Sequence, residues 1–290
     1  MRHFNPDTED DIKLATSTLW NFYTYLLYNE VCFEYREDIE QGRKTCILAQ
    51  VELCKNLHLM RNGSGAFNKA CSTLFGGHFF ISEEANQSWL LNVNEDRDPL
   101  TLEVSRDVIK FGIAAACPFE KGSRFQKLTN ENALAAKKLL DIDGFEVIAI
   151  TEPDSSTHDF YYEFARGLKP VGKIQAKSFR DPAKPDIDMS PEERWEWDCG
   201  NAPEYQMEFF MEMDLLQYYY PGLKVITSVW KLNCDVYYFD EIISAYPSFY
   251  TVLPNEKMLE WKGPAKMNDM KLKGQEDIPQ SGMQQAAEGA

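Results

Sequence analysis

The residues able to do chemistry are best judged by their spacing. Cys54 and His58 lie four apart, and Cys46 lies two turns before Cys54. On a helix they would share one face, with Cys32 as a further soft ligand. Zinc needs four such ligands in a tetrahedron, normally from short, close spacings, and these fit no such pattern. The expectation is a helix face of buried thiols beside one histidine, with no metal site. Cys71 and His78 are seven apart. A thiol nucleophile needs a base within hydrogen-bond reach and a third group to orient that base. No flanking pattern supplies either, so Cys71 is expected to be structural; the alternative is an enzyme of unrecognised class, such as a cysteine hydrolase using Cys71. His158-Asp159 could pair with almost any nucleophile and decides nothing. Asn62-Gly63-Ser64-Gly65 contains a GxG but follows a helix rather than a strand and lacks the third glycine. P-loop, HExxH, GxSxG and kinase signatures are absent. The adjacent carboxylates Glu83-Glu84 and Glu192-Glu193 do not converge on one face. The sequence therefore gives no catalytic residue, no cofactor site and no cofactor.

A different kind of site is suggested by Trp195-Glu196-Trp197-Asp198. These two tryptophans sit in the stretch Asp181 to Glu204, which holds eight acids, two basic residues and four prolines. That composition describes a solvated surface loop, with one helical turn at Ser190-Pro191-Glu192-Glu193. Large aromatics normally bury their area on their own chain, and here they would staple the loop. Left exposed, Trp195 and Trp197 are partner-binding candidates, because such rings fill pockets on other proteins.

The elements that must position these residues fall into two halves. Thr8 caps a first helix, with Glu9, Asp10 and Asp11 in its first turn. Ile12, Leu19, Phe22, Leu26 and Leu27 recur at helical spacing, and Phe22 to Tyr28 is apolar or aromatic almost all round. This predicts a deeply buried helix. A break near Asn29 to Phe33 precedes a long helix from about Glu34 to Met60, stopped by Asn62-Gly63-Ser64-Gly65. Phe67 to Phe75 predicts a short helix ended by Gly76-Gly77. Residues 85–98 are polar and loop-like, and Thr101 to Ala116 favours helix. Thr129-Asn130 would cap another helix to Leu140. Beyond it the hydrophobic period changes to two. Strands are expected at Phe145 to Ile150, His158 to Ala165, Val171 to Phe179, Tyr205 to Met213, Leu223 to Leu232 and Val236 to Phe239, forming an antiparallel meander. The clearest is Tyr205 to Met213, with Tyr205, Met207, Phe209, Met211 and Met213 on one side.

The fold class expected is α+β: an N-terminal helical half packed with a C-terminal, mostly antiparallel β-sheet, then a disordered C-terminal tail. One domain covers residues 1–262, with the helical part at about 8–140, the sheet part at about 145–250 and the acidic loop at 181–204. The tail is 263–290, where no aromatic residue occurs.

Bulk properties narrow the function classes. A chain of 290 residues builds a core without disulfide or metal staples. Lys plus Arg is 30 and Asp plus Glu is 46, giving a formal charge of −16. That sign repels phosphate backbones and anionic membranes, and the basic residues occur as short pairs such as Arg43-Lys44 and Lys137-Lys138. Basic protein partners are expected instead. The seven cysteines are odd in number and none forms a CxxC. No apolar signal core opens the sequence, and nothing approaches the ~18 apolar residues of a membrane span. A reducing compartment, nucleus or cytoplasm, is expected.

Three blocks resemble one fungal family, the argonaute-binding subunit of the argonaute siRNA chaperone (ARC) complex. The first runs from Phe22-Tyr23-Thr24-Tyr25-Leu26-Leu27-Tyr28 through Val31-Cys32-Phe33-Glu34-Tyr35 to Arg43-Lys44-Thr45-Cys46. The second is Phe67-Asn68-Lys69-Ala70-Cys71-Ser72-Thr73-Leu74-Phe75-Gly76-Gly77. The third spans Pro221-Gly222-Leu223-Lys224, Val236-Tyr237-Tyr238-Phe239-Asp240-Glu241, Tyr246-Pro247-Ser248-Phe249-Tyr250 and Leu253-Pro254-Asn255-Glu256. Phe33 stands where the family has proline. The resemblance implies a non-catalytic subunit that binds argonaute, holds it with duplex siRNA and restrains passenger-strand release or slicing. It further implies a second accessory subunit, siRNA contact only through argonaute, no membrane, and a role in RNA-directed heterochromatin formation and histone methylation in nucleus and cytoplasm.

Overall fold

A computed structural model of the chain describes residues 8–31, 33–80, 100–181, 190, 192, 195 and 204–251. The expectations for residues 85–98, for most of the acidic loop and for the tail 263–290 fall outside the described residues. Among the described residues the order is α1 (Glu9–Tyr28), a 3-10 turn (Phe33–Tyr35), α2 (Arg36–Asn62), α3 (Gly65–Phe75), α4 (Leu102–Ala116) and α5 (Phe119–Asn130). Then come β1 (Ala136–Lys138), β2 (Gly144–Thr151), α6 (Ser155–Phe164), β3 (Val171–Phe179), β4 (Gln206–Glu212), α7 (Met213–Leu216), β5 (Lys224–Leu232) and β6 (Tyr237–Tyr246). The α+β class stands: helices precede an antiparallel sheet. Among the described residues no helix is long and apolar enough to cross a membrane.

Two segments differ from the sequence expectation. The helix expected from Thr129 to Leu140 does not form: Thr129 and Asn130 are instead the last residues of α5, and Asn132 takes a positive φ of 48°. The amide of Asn233, in the β5–β6 turn, donates to the Ala133 carbonyl and accepts from the Ala135 N–H. Residues 136–138 then pair with Leu232, Lys231 and Trp230 of β5. The free edge of β5 outbids the helix propensity of an Ala/Lys/Leu run. The strand expected at His158 to Ala165 is helix α6. Asp154 caps it, its side chain accepting from the Thr157 N–H at 2.8 Å. Thr157 and Tyr161, one turn apart, are its buried residues, so the aromatic run follows a helical rather than an alternating pattern.

The sheet is antiparallel throughout but is not a simple meander. β5 returns to pair with β2, and β6 follows as a hairpin, so the spatial order is β6–β5–β2–β3–β4. β6 occupies one edge of β5, which leaves β1 and β2 to share successive segments of the other. β2 can approach β5 because residue 144 is glycine; a Cβ there would overlap the Val225 carbonyl. Irregularities at Val147/Ala149 and at Ile226/Thr227/Val229 bend the sheet. It curls until its two edge strands, β4 and β6, meet: the rings of Phe209 and Phe239 are 5.2 Å apart, and Phe145 of β2 lies 4.6 Å from Phe209.

Alternation fills both faces. Met207, Phe209 and Met211 point into one core with Phe145, Ile174, Val225, Phe239 and Leu59 of α2. Phe210 and Tyr238 point the other way, into a second core closed by Phe67 and Cys71 of α3, Ile109 of α4 and Tyr161 of α6. Asn68 of α3, fully buried, spans the seam between the edges. Its amide donates to the Phe210 carbonyl and its oxygen accepts from the Phe239 N–H. Glu212 at the end of β4 accepts from the Phe67 N–H at 2.7 Å, capping α3.

Candidate partner-binding surfaces

The residues with chemical potential are occupied structurally. Cys71 is fully buried, and burial pushes its thiol well above the ordinary range, with Cys234 and Glu212 adding to the rise. A nucleophile must be a thiolate and reachable, and Cys71 is neither. His78 comes near Ser72 and Asp240, but the connectivity is wrong for a triad. The Ser72 hydroxyl donates to Asp240 at 3.0 Å, while Asp240 accepts the backbone N–H of His78 at 2.6 Å. The His78 ring lies 3.5 Å from Glu241 instead. Together with the Tyr238 hydroxyl donating to the Gly76 carbonyl, these bonds pin the loop after α3 onto β6. His158 and Asp159 are exposed on α6.

On α2, Cys46 is buried and Cys54 half-buried. His58 is taken by Glu9: Nε2 lies 2.6 Å from the carboxylate, and the ring stacks on Tyr218. Lys13 first, then His58, holds the Glu9 carboxyl below its usual range. Cys32 lies outside the described residues. Among the described residues no group of three or more His, Cys, Asp or Glu is placed to hold a metal. Trp195 is helical and 68 % exposed. Trp197 lies outside the described residues.

The surface that sequence reasoning missed is α1 itself. Thr8 caps it as expected, accepting from the Asp11 N–H and donating to the Asp11 carboxylate. Yet Ile12 and Thr16 are its buried residues. Phe22 is 53 %, Tyr25 60 % and Tyr28 86 % exposed, and Leu19 and Trp20 are also open. The expectation of a deeply buried helix is therefore wrong. Helix α1 packs antiparallel on α2, with Glu9 against His58 near one end and Tyr23 over Gly42 toward the other. A Cβ at residue 42 would sit 3.1 Å from the Tyr23 ring, so glycine sets this approach. A single partner helix can cover only one stripe of a helix that is apolar all round. That mismatch was the available signal.

Helix α2 is rooted in the body by its C-terminal part, from Glu52 onward. Glu52 accepts from the N–H and hydroxyl of Ser248 at 2.8 and 2.7 Å. Asn56 accepts from the Tyr220 hydroxyl and donates to the Ala245 carbonyl, and Leu59 enters the core. These ties all lie at or beyond Glu52. From there back to Arg36 the helix rises roughly 24 Å at ~1.5 Å per residue. The α1–α2 hairpin thus carries an end remote from the sheet. Around its turn, Val31, Phe33 (68 % exposed) and Tyr35 continue the apolar surface. Leu26, Leu27, Val31, Phe33 and Ile39 line a shallow groove that also carries Glu30 and Arg36. Exposed carboxylates Glu30, Glu34, Glu37 and Asp38 surround it in sequence.

No curated protein matches the chain, and no solved structure does. One family model matches, over residues 1–264, which takes in the hairpin and the sheet alike. With that much of its length matched, the chain belongs to the family of the Argonaute siRNA chaperone (ARC) complex subunit Arb1.

Proposed function

We propose that the protein is a non-catalytic subunit that binds argonaute, holds it with duplex siRNA and restrains passenger-strand release or slicing. The observation that carries this reading is the family match over residues 1–264. A charge of −16 supports contact with siRNA through argonaute rather than directly, since phosphates are repelled. A second accessory subunit completes the complex, which serves RNA-directed heterochromatin silencing and histone methylation, in nucleus and cytoplasm. Trp195 and Trp197 act as one contact in this reading, and the exposure of Trp195 supports it.

The test is to load argonaute with labelled duplex siRNA and follow passenger-strand release with and without the purified protein. Retention of the duplex is expected. Failure to co-purify with argonaute, or unchanged release, would refute the reading. A Trp195→Ala, Trp197→Ala variant should keep its melting temperature and bind argonaute more weakly. A folded variant with wild-type affinity removes the loop from the interface.

A further inference from the structure

Aromatic residues scattered singly on a surface need no explanation, but a contiguous set does. Phe22, Tyr25 and Tyr28 recur at helical spacing on α1, and Val31, Phe33 and Tyr35 continue them around the turn. They lie at the hairpin end farthest from the α2 root, where, among the described residues, α1 and α2 pack chiefly on each other. Such an arrangement contributes nothing to the core and exposes rings that water disfavours. A surface of this kind belongs against another molecule.

Its charges limit which molecule. Glu30, Glu34, Glu37 and Asp38 are exposed there, against Arg36, which pairs with Glu40, and the pair Arg43-Lys44 on α2. A second copy of this chain would bring the same carboxylates face to face on a background of −16. Anionic lipid and nucleic acid are repelled for the same reason. The fitting occupant is a protein surface with an apolar recess bordered by Lys and Arg. A protein that holds RNA carries clustered Lys and Arg, which such carboxylates complement.

We infer that the aromatic end of the α1–α2 hairpin, through Tyr25, Tyr28 and Phe33 beside the groove at its turn, is a surface that docks on argonaute. This rests on the argonaute reading above. The rings supply the apolar contact, and the carboxylates meet the basic border and speed encounter.

The experiment uses the full chain and purified argonaute, with affinity by biolayer interferometry and melting temperature alongside. A Tyr25→Ala, Tyr28→Ala, Phe33→Ala variant should melt within about 2 °C of wild type, because all three side chains are exposed. Its affinity should fall on the order of 100-fold or more. Should the triple variant fold poorly, Tyr28→Ala alone, at the most exposed of the three, must still weaken binding while leaving the melt unchanged. A Glu34→Lys, Glu37→Lys, Asp38→Lys variant should associate roughly tenfold more slowly at low salt, the difference closing at high salt. If wild-type chain fails to bind argonaute, the functional reading falls and this assignment with it. If wild type binds and the folded triple variant binds equally, the hairpin assignment alone is overturned. It is overturned too if the triple variant keeps argonaute but loses self-association, or keeps argonaute but loses the second accessory subunit.

Discussion

Replacing Asn68 by leucine tests how the curled sheet is closed. The two side chains share a branched skeleton of four heavy atoms, so the substitution keeps the shape and removes the polar partners, while the bulkier methyl groups of leucine add some overpacking at this fully buried position. The Asn68 amide donates to the Ser64 carbonyl at 2.9 Å and to the Phe210 carbonyl at 3.0 Å, and its oxygen accepts from the Phe239 N–H at 3.3 Å. Leucine orphans three backbone groups in a site with no access to water. A buried group left without its partner costs about 1–3 kcal/mol. The Phe239 bond is long, so it contributes at the low end of that range. The Ser64 carbonyl lies at the start of α3, where local adjustment can recover part of its loss. The expected destabilisation is therefore about 3–5 kcal/mol, enough to unfold a marginal domain partly. Urea denaturation followed by far-UV circular dichroism gives the quantity directly, with an alanine variant as control for packing. A loss below about 1 kcal/mol for Asn68→Leu would refute the claim that this side chain joins the edges of β4 and β6. An Asn68→Asp variant sharpens the test: it keeps the acceptor for Phe239, loses the donor to Phe210 and buries a charge, so it should be no more stable than the leucine variant.

Further outcomes follow from the same geometry. Glu52→Leu removes both acceptors for Ser248, and hydrogen exchange should rise at the α2 root and around residue 248 while β2 and β3 stay protected. Gly42→Val drives a branched side chain into the Tyr23 ring and should destabilise by about 1–3 kcal/mol in a thermal melt, whereas Gly42→Ala gains helix propensity and should lie nearer to neutral. Burial raises the Glu212 carboxyl above its ordinary 4.5, so the folded chain holds that proton more tightly than the unfolded chain. Between 4.5 and the raised folded value, stability from this group falls as pH rises. Glu212→Gln should flatten that fall in urea midpoints, and a variant with an unchanged slope would place the titration elsewhere. Burial pushes Cys117 up to about 12 and raises Cys71 and Cys234, so iodoacetamide near neutral pH should label all three slowly until the chain is unfolded.

The caps and stops that are purely local could be read without the fold. Thr8 begins α1, Gly63 ends α2, Gly76 ends α3 and Thr101 begins α4, because each satisfies backbone groups within a few residues of itself. The alternation of Met207, Phe209 and Met211 fixed a strand with one face in a core for the same reason: the period is carried by the residues themselves. Where the outcome depends on what lies opposite, sequence alone pointed the wrong way. Ala136 to Lys138 became a strand because β5 offered an open edge, and Asn233 held the approach to it, nearly 100 positions later in the chain. Phe22 to Tyr28 was apolar enough for a core, but apolarity states only that the residues favour burial. Among the described residues, helix α1 has α2 on one side, and rings on its other sides stay open. The sequence by itself therefore determined which segments favour a partner. Tertiary structure decided which of them find that partner within the chain, because burial requires an opposing surface and the sheet's curl brings such surfaces to α3 and to the root of α2 but not to the hairpin's far end.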